Sequence, residues 1–421
     1  MDPRDRGGRD ALSAAFARTR ARTEALAAPL SAEDQQLQAF ADASPTKWHR
    51  AHTTWFWETF LLAPAGIAPE HPAWGVLFNS YYEAVGPRHL RPERGLLSRP
   101  SAAEIGAWRR LVDERVLEHL ARVDEAQWEA VRGVVELGIA HEQQHQELLL
   151  TDILAAFARN ELRPVYTDPI GADAPHPTRS PAASGWIEHA GGIARIGADG
   201  AGFAFDNEGP RHEVLLHPFA LATRPVTVGE WAAFAADGGY HTPALWLSEG
   251  LAWVREHGVE APAYTRREGE AVVVYGLHGE REAHPDEPVC HLSFYEADAL
   301  ATWLGGRLPP EAEGEVVATE AGAHDGRGEG ALHPVPLAGA GVVGLFGSVW
   351  QWTRSSYGPY PGFRAPPGAI GEYNGKFMCN QQVLRGSSVL TPPGHARATY
   401  RNFWPAPTRF QAAGLRLARD A

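Results

Sequence analysis

Two histidines one helical turn apart, in His141-Glu142-Gln143-Gln144-His145-Gln146-Glu147, constrain this chain more than any other feature. An i, i+4 spacing puts both imidazoles on one helical face, where they can share one metal ion. The surrounding residues predict the helix independently. Positions 131–157 contain no proline, and Val134, Val135, Ile139, Leu148, Leu149, Ile153 and Leu154 give the segment an apolar side. A third donor is available upstream, in Trp48-His49-Arg50-Ala51-His52. Two histidines plus one more neutral donor leave coordination positions open, so the pattern points to a reactive centre.

Two other readings compete at this level. His141-Glu142-Gln143-Gln144-His145 fits the H-E-x-x-H pattern of zinc proteases, in which Glu142 would be the general base of a zinc hydrolase using His141, Glu142 and His145. Alternatively the histidines are structural and hold no metal. The upstream His-x-x-His and the character of the second half of the chain favour the reactive centre.

A length of 421 residues suggests about two domains, each able to bury its own core. The formal charge of −13, with no Lys/Arg-rich run, argues against nucleic acid as a partner. Only Cys290 and Cys379 occur, which excludes a disulfide framework and a cysteine-based zinc cluster. The first 24 residues are charged and lack the apolar core of a signal peptide, and no apolar run approaches the roughly 20 residues that span a bilayer. The expectation is a cytoplasmic protein with no membrane partner.

Residues 9–163 are expected to form a helix bundle, with helices over 12–30, 33–43, 46–62 and 102–123 leading to the histidine helix. Facing helices of a bundle are a common place for a metal centre. The long connection between them carries Ser80-Tyr81-Tyr82-Glu83-Ala84-Val85-Gly86 and a basic stretch from Arg88 to Arg99, and such a loop in a compact domain is usually functional. The proline-rich stretch 164–184 is read as a linker. Residues 185–421 change texture to short strands at 186–189, 194–197, 212–216 and 219–221, with short helices at 228–236 and 294–304. The whole is an α+β multidomain chain.

The second half resembles the formylglycine-generating-enzyme fold, which is C-type-lectin-like. The resemblance is carried by Arg224-Pro225-Val226-Thr227, Pro288-Val289-Cys290-His291-Leu292-Ser293, Gly305-Gly306-Arg307-Leu308-Pro309-Pro310-Glu311, Gly344-Leu345-Phe346-Gly347-Ser348-Val349-Trp350-Gln351-Trp352 and Val383-Leu384-Arg385-Gly386-Ser387-Ser388. No cysteine follows Cys379, so the cysteine pair of true formylglycine generators is missing. The first half resembles the DinB-like helix bundle with its His-x-x-x-His helix. A DinB-like bundle joined to this lectin-like fold is the layout of the ergothioneine sulfoxide synthase family, the hercynine oxygenases, and the resemblance covers almost the whole chain.

That resemblance implies a non-haem iron(II) held by His52, His141 and His145. His49 is the less fitting upstream histidine, because the family's ligand follows a small residue, as in Ala51-His52. It further implies three small-molecule partners: hercynine (Nα-trimethyl-histidine), a thiol (cysteine or γ-glutamylcysteine) whose sulfur is joined to C2 of hercynine, and O2. The Ser80–Gly86 segment resembles the cysteine-using branch and implies an active-site tyrosine, Tyr82 or its neighbour Tyr81. Tyr400-Arg401-Asn402-Phe403-Trp404-Pro405 matches the family's substrate loop, although Trp404 departs from the two phenylalanines usual in the cysteine-using branch. Gly386-Ser387-Ser388 likewise replaces its common Gly-Gly-Ser. Phe403 and Trp404 are candidates for holding the quaternary ammonium, which lacks an N–H and needs aromatic faces or oxygen dipoles. Asn402 is suited to the hercynine carboxylate. Gln144, three residues beyond His141 on the metal-facing side, can hydrogen-bond the incoming imidazole. Among Arg88, Arg91 and Arg94, Arg88 is taken as the clamp for the thiol substrate's carboxylate. Variants of the reading are a selenoneine synthase and a 5-histidylcysteine sulfoxide synthase.

Overall fold

The computed structural model describes residues 3–168, 182, 184–322 and 332–421. The chain divides into two compact units, 1–162 together with 366–373, and 163–365 together with 374–421. The stretch 164–184 expected as a linker lies mostly outside the described residues.

The first unit is built from α1 (Pro3–Ala27), α2 (Thr46–Trp57, continued by one π-helical turn over Glu58–Leu62), α3 (Ala102–Arg122) and α4 (Glu125–Phe157). Their starts are written locally. Ser101 and Glu104 form a reciprocal capping box at α3, and the Asp124 side chain accepts from the Gln127 amide at α4. Both α1 and α2 pack on α4, and α2 also packs on α3. The buried faces meet around Phe16, Trp48, Phe56, Trp57, Val112, Val116, Val135 and Leu149.

The helix expected over 33–43 does not form. Only a 3-10 turn, Asp34–Gln36, is present, because the polar side chains there are used elsewhere. Gln35 Nε2 donates to the Ala27 and Leu30 carbonyls at the end of α1, and Gln38 bonds the Ala43 and Arg91 carbonyls and the Gly95 amide. Side-chain bonds of this kind compete with the helical ladder.

One close approach fixes how α2 lies on α4. A Cβ added at Gly138 would fall 2.4 Å from the Trp57 ring, which is fully buried and tied by its indole N–H to Glu142 at 3.2 Å. Neither side can yield cheaply. Gly138→Ala is expected to lose about 1–3 kcal/mol through overpacking, despite the better helix propensity of alanine. A calorimetric melt should show the drop, and an unchanged Tm would mean that Trp57 has room to move.

The second unit is α+β. Its strands and helices in chain order are β1 (Trp186–His189), β2 (Gly192–Ile196), β3 (His212–Leu216), β4 (Phe219–Ala222), α5 (Val228–Ala236), α6 (Ser248–His257), β5 (Thr265–Glu268), β6 (Ala271–Gly276), β7 (Gly279–Glu282), α7 (Phe294–Trp303), α8 (Glu311–Glu320), β8 (Trp350–Ser356), β9 (Gln382–Gly386), β10 (Asn402–Trp404), β11 (Ala413–Gly414) and β12 (Ala418–Asp420). A four-stranded sheet runs β10-β9-β8-β11, with β11 parallel to β8 and the other pairs antiparallel. A three-stranded sheet runs β1-β4-β12. Strands β2 and β4 join β3 and α8 in a core of Ile196, Leu216, Phe219, Leu221, Val316 and Val317.

The expected strands and the two expected helices lie within one or two residues of the observed ones, whereas α6 and α8 were not foreseen. Helix α8 hides from a periodicity reading because it is buried on more than one face and Glu311, Glu313 and Glu315 are among its buried residues. Each is neutralised there, Glu313 by Arg307, Glu315 by Arg385, and Glu311 by Arg385 and Arg401. Among the described residues no helix is long and apolar enough to cross a membrane.

Residues 366–373 group with the helical unit, because the Glu372 carboxylate accepts from the Glu83 and Ala84 amides at 2.9 and 2.8 Å and the Tyr373 hydroxyl donates to Gln144.

Candidate metal centre

Helices α2 and α4 bring three imidazoles to one buried point. His52, His141 and His145 each offer a nitrogen, and these nitrogens lie within 4.8 Å of one another. His52 is held most tightly. Its ring is stacked on Trp48 (centroids 4.6 Å, 12° between planes) and on Trp55 (5.4 Å, 18°). Its Nδ1 lies 2.6 Å from the Phe78 carbonyl, which can only accept, so Nδ1 carries the proton. The other nitrogen, Nε2, therefore presents its lone pair, 3.2 Å from His141 Nε2.

Electrostatics agree with a lone-pair trap. Burial pushes the His141 imidazole down to about 3. Burial, then repulsion from His141, holds His52 and His145 well below the ordinary histidine value. All three are neutral at pH 7 and hence ready to coordinate. In the tautomer of His141 that presents Nε2 for coordination, two lone pairs face each other at 3.2 Å, and a cation between the imidazoles removes that cost. A set of three neutral nitrogens with no carboxylate suits a borderline transition metal such as iron, zinc, copper or nickel. The residues fit a resident metal.

The zinc-hydrolase reading fails on Glu142. Its carboxylate is fully buried and points into the polar core between α1, α3 and α4, not into the centre. Arg20 and Arg109 each bond it at 2.8 Å, Thr23 donates at 2.7 Å, and the Trp57 indole donates as well. Burial alone would raise its pKa, but the two guanidiniums overcome that and hold it far below the carboxylate range. A carboxylate so engaged cannot serve as a general base on a metal-bound water.

His49, the other upstream histidine, is outside the converging group. Its Nδ1 lies 2.8 Å from His145 Nδ1 and its Nε2 lies 3.0 Å from Asp152.

The tyrosine pair sits in the loop that follows the helical turn Gly75–Phe78. Asn79 shapes this loop, accepting from the Tyr82 amide and donating to the Tyr82 and Gly86 carbonyls. Tyr82 is fully buried, stacked on Tyr81 (4.7 Å) and packed against Trp55 and Phe60. Burial, followed by the neighbouring phenols, keeps its hydroxyl protonated far beyond neutral pH. Sequence reasoning missed a third phenol. Tyr373 packs 5.7 Å from the His141 ring and 6.3 Å from Tyr81, and its hydroxyl bonds Gln144 Oε1. It lies in a Pro/Gly-rich stretch with no periodicity to mark it.

Of the loop arginines, Arg88 is half-exposed and paired with Glu83 at 2.8 Å, while Arg94 is buried. Arg94 lies 3.5 Å over the Trp48 ring and donates to Ser44 Oγ and Ser80 Oγ. Burial, then Arg91, lowers its pKa to about 8.

Asn402, Phe403 and Trp404 form β10 of the second unit and are half-buried. Phe403 stacks in parallel on Tyr357 (3.9 Å, 9°), Trp404 meets Phe410 edge-on, and Asn402 Oδ1 accepts from the Phe403 amide. Arg401, just before them, is structural. It is buried against Glu311 at 2.9 Å and under Tyr360.

Comparison with known proteins places both halves. Residues 15–149 match the DinB superfamily, and residues 173–334 and 330–421 match the sulfatase-modifying factor enzyme 1-like domain. The chain is 34% identical to a hercynine oxygenase of Mycolicibacterium thermoresistibile over 92% of this chain and 90% of that protein. A hercynine oxygenase of Mycobacterium tuberculosis is 32% identical, covering 97% and 98% respectively. A formylglycine-generating enzyme of Streptomyces coelicolor is 27% identical over 60% of this chain and 95% of that protein.

Proposed function

The chain belongs to the hercynine oxygenase family, and from that premise we propose that it is an O2-dependent, non-haem iron enzyme joining the sulfur of cysteine to C2 of hercynine in ergothioneine biosynthesis. The observation that carries this reading is the converging triad of neutral imidazoles, with His52 and His141 buried and His145 partly buried. The reaction balances with O2 as sole oxidant. The imidazole C2–H and the thiol S–H are lost, a C–S bond and an S=O bond form, and the second oxygen leaves as water. Four electrons pass from carbon and sulfur to O2, and the product is hercynylcysteine sulfoxide.

Iron(II), when bound, supplies a shared centre at which O2 is reduced beside a deprotonated thiol. The chain's own residues do the rest. Gln144 orients the hercynine imidazole, its amide set by the Tyr373 hydroxyl. Arg88, with its guanidinium at the surface, paired with Glu83 and donating to the Ser80 carbonyl, takes the carboxylate of the thiol substrate. Asn402, Phe403 and Trp404 hold the carboxylate and quaternary ammonium of hercynine. With one Phe403 face covered by Tyr357, Trp404 provides the larger share of cation contact, worth about 0.5–2 kcal/mol. A phenol keeps a proton at the centre, and Tyr82, Tyr81 and Tyr373 are the candidates.

Oxygen uptake after anaerobic loading with iron(II) tests the function. Hercynine and histidine are each paired with cysteine, γ-glutamylcysteine and a selenium donor. Hercynine with cysteine should be fastest and give one sulfoxide per O2. Faster turnover with histidine, or none with any pair, would remove this reading.

The phenol is tested by product partition. Without its proton both oxygen atoms end on the thiol as cysteine sulfinate. Tyr373→Phe, which alters the phenol packed on His141, should shift products toward sulfinate more than Tyr82→Phe. A larger shift in Tyr82→Phe would return the role to the buried tyrosine.

A further inference from the structure

His52 is pinned in its metal-ready form by the Phe78 carbonyl. For His145 the corresponding partner is a side-chain chain. Asp152 lies seven residues beyond His145 on α4, two helical turns along the same face. Its Oδ2 accepts from the Ser44 amide at 2.8 Å and meets His49 Nε2 at 3.0 Å. A carboxylate oxygen only accepts, so the His49 proton sits on Nε2. A His49 that carries this single proton has its lone pair on Nδ1. That lone pair faces His145 Nδ1 at 2.8 Å, so His145 must be the donor, and its own lone pair must lie on Nε2. In the opposite tautomer two lone pairs would confront each other at 2.8 Å, and an N–H would occupy the position needed for coordination. His49 and Asp152 are both buried, so water does not substitute for the link between them.

We propose that Asp152 and His49 act as a positioning relay that fixes the tautomer and ring orientation of His145, so that Nε2 becomes the third metal-binding nitrogen. The relay rests on the reading of His52, His141 and His145 as a metal centre. It also accounts for the position of His49: the residue is one turn from His52 on α2, yet both of its nitrogens are committed, which makes it a supporting group and not a ligand. Partners of this kind fix ligand orientation and basicity, and their loss typically costs 10–100-fold in metal affinity.

Two measurements test the relay. In metal-free, histidine-15N-labelled protein, two-bond nitrogen–proton correlation spectra report each tautomer directly. His145 should carry its proton on Nδ1 and His49 on Nε2, and His145 found with Nε2–H overturns the proposal without any substitution. Anaerobic iron(II) titration against a chromogenic chelator then compares the wild type with His49→Phe, Asp152→Leu and Asp152→Asn. The first two remove an acceptor at nearly constant volume and should weaken iron(II) binding by about 10–100-fold. Asp152→Asn keeps an oxygen acceptor and should stay close to the wild type. Wild-type affinity in Asp152→Leu overturns the relay alone, as does an Asp152→Asn loss equal to that of Asp152→Leu, which would assign the effect to charge. A wild type that binds no iron(II) instead overturns the metal centre, and the relay with it.

Discussion

His141→Ala should take iron(II) content after anaerobic reconstitution from stoichiometric to background, abolish oxygen uptake with hercynine and cysteine, and leave the helical circular dichroism unchanged. The three parts follow from different contacts. Metal is lost because two remaining imidazoles cannot retain a divalent ion that three hold. Turnover is lost because no other residue among the described ones joins the converging group. The fold survives because His141 is the ligand least involved in structure. Its Nδ1 has no hydrogen-bond partner and its Nε2 meets another metal-facing nitrogen, His52 Nε2, so truncation leaves no backbone group unpaired. His52→Ala is the poorer probe, since it would leave the Phe78 carbonyl unpaired and open a gap between Trp48 and Trp55. Full iron occupancy in His141→Ala, read by metal analysis, would remove His141 from the ligand set.

The parts of this centre that were legible in the sequence are those fixed by local spacing. His141 and His145 share a face because the helix places positions i and i+4 together, and Asp152, at i+7 from His145, was available by the same rule. The side of α4 on which Glu142 falls was not legible. H-E-x-x-H is silent on whether the glutamate faces a metal or a core. That choice is made by Arg20, 122 residues away on α1, and by Arg109, 33 residues away on α3. Tyr373 was invisible for a related reason: its partner Gln144 is 229 residues distant and its own segment has no period. The absent helix over 33–43 shows the reverse failure. The composition there is helical enough, but Gln35 and Gln38 spend their amides on carbonyls of other segments. Residues that act through tertiary contacts carry no mark in the one-dimensional pattern.

The same Glu142 gives the second large effect, and it falls on stability. Glu142→Gln should destabilise the helical unit by about 3–5 kcal/mol, the usual result of removing one member of a buried ionic network, against a total near 5–15 kcal/mol for a typical domain. Glutamine fills the same space but brings no charge to Arg20 and Arg109, which are themselves buried with only Asp113 and half-exposed Glu24 left as counter-charges. Urea denaturation measures the loss. Oxygen consumption per folded, iron-loaded molecule should change little, whereas a zinc hydrolase would lose turnover and keep its stability. The pH dependence supplies an independent check. Glu142 has its native pKa depressed, so its contribution is fully present above the unfolded value of about 4.3 and drains away as pH falls toward the native value. Wild-type stability should therefore decline steeply on the acid side, and the Glu142→Gln curve should be flatter there. Parallel acid limbs in the two proteins would show that the carboxylate is not what anchors α4, and the orientation of His141 would then need another source.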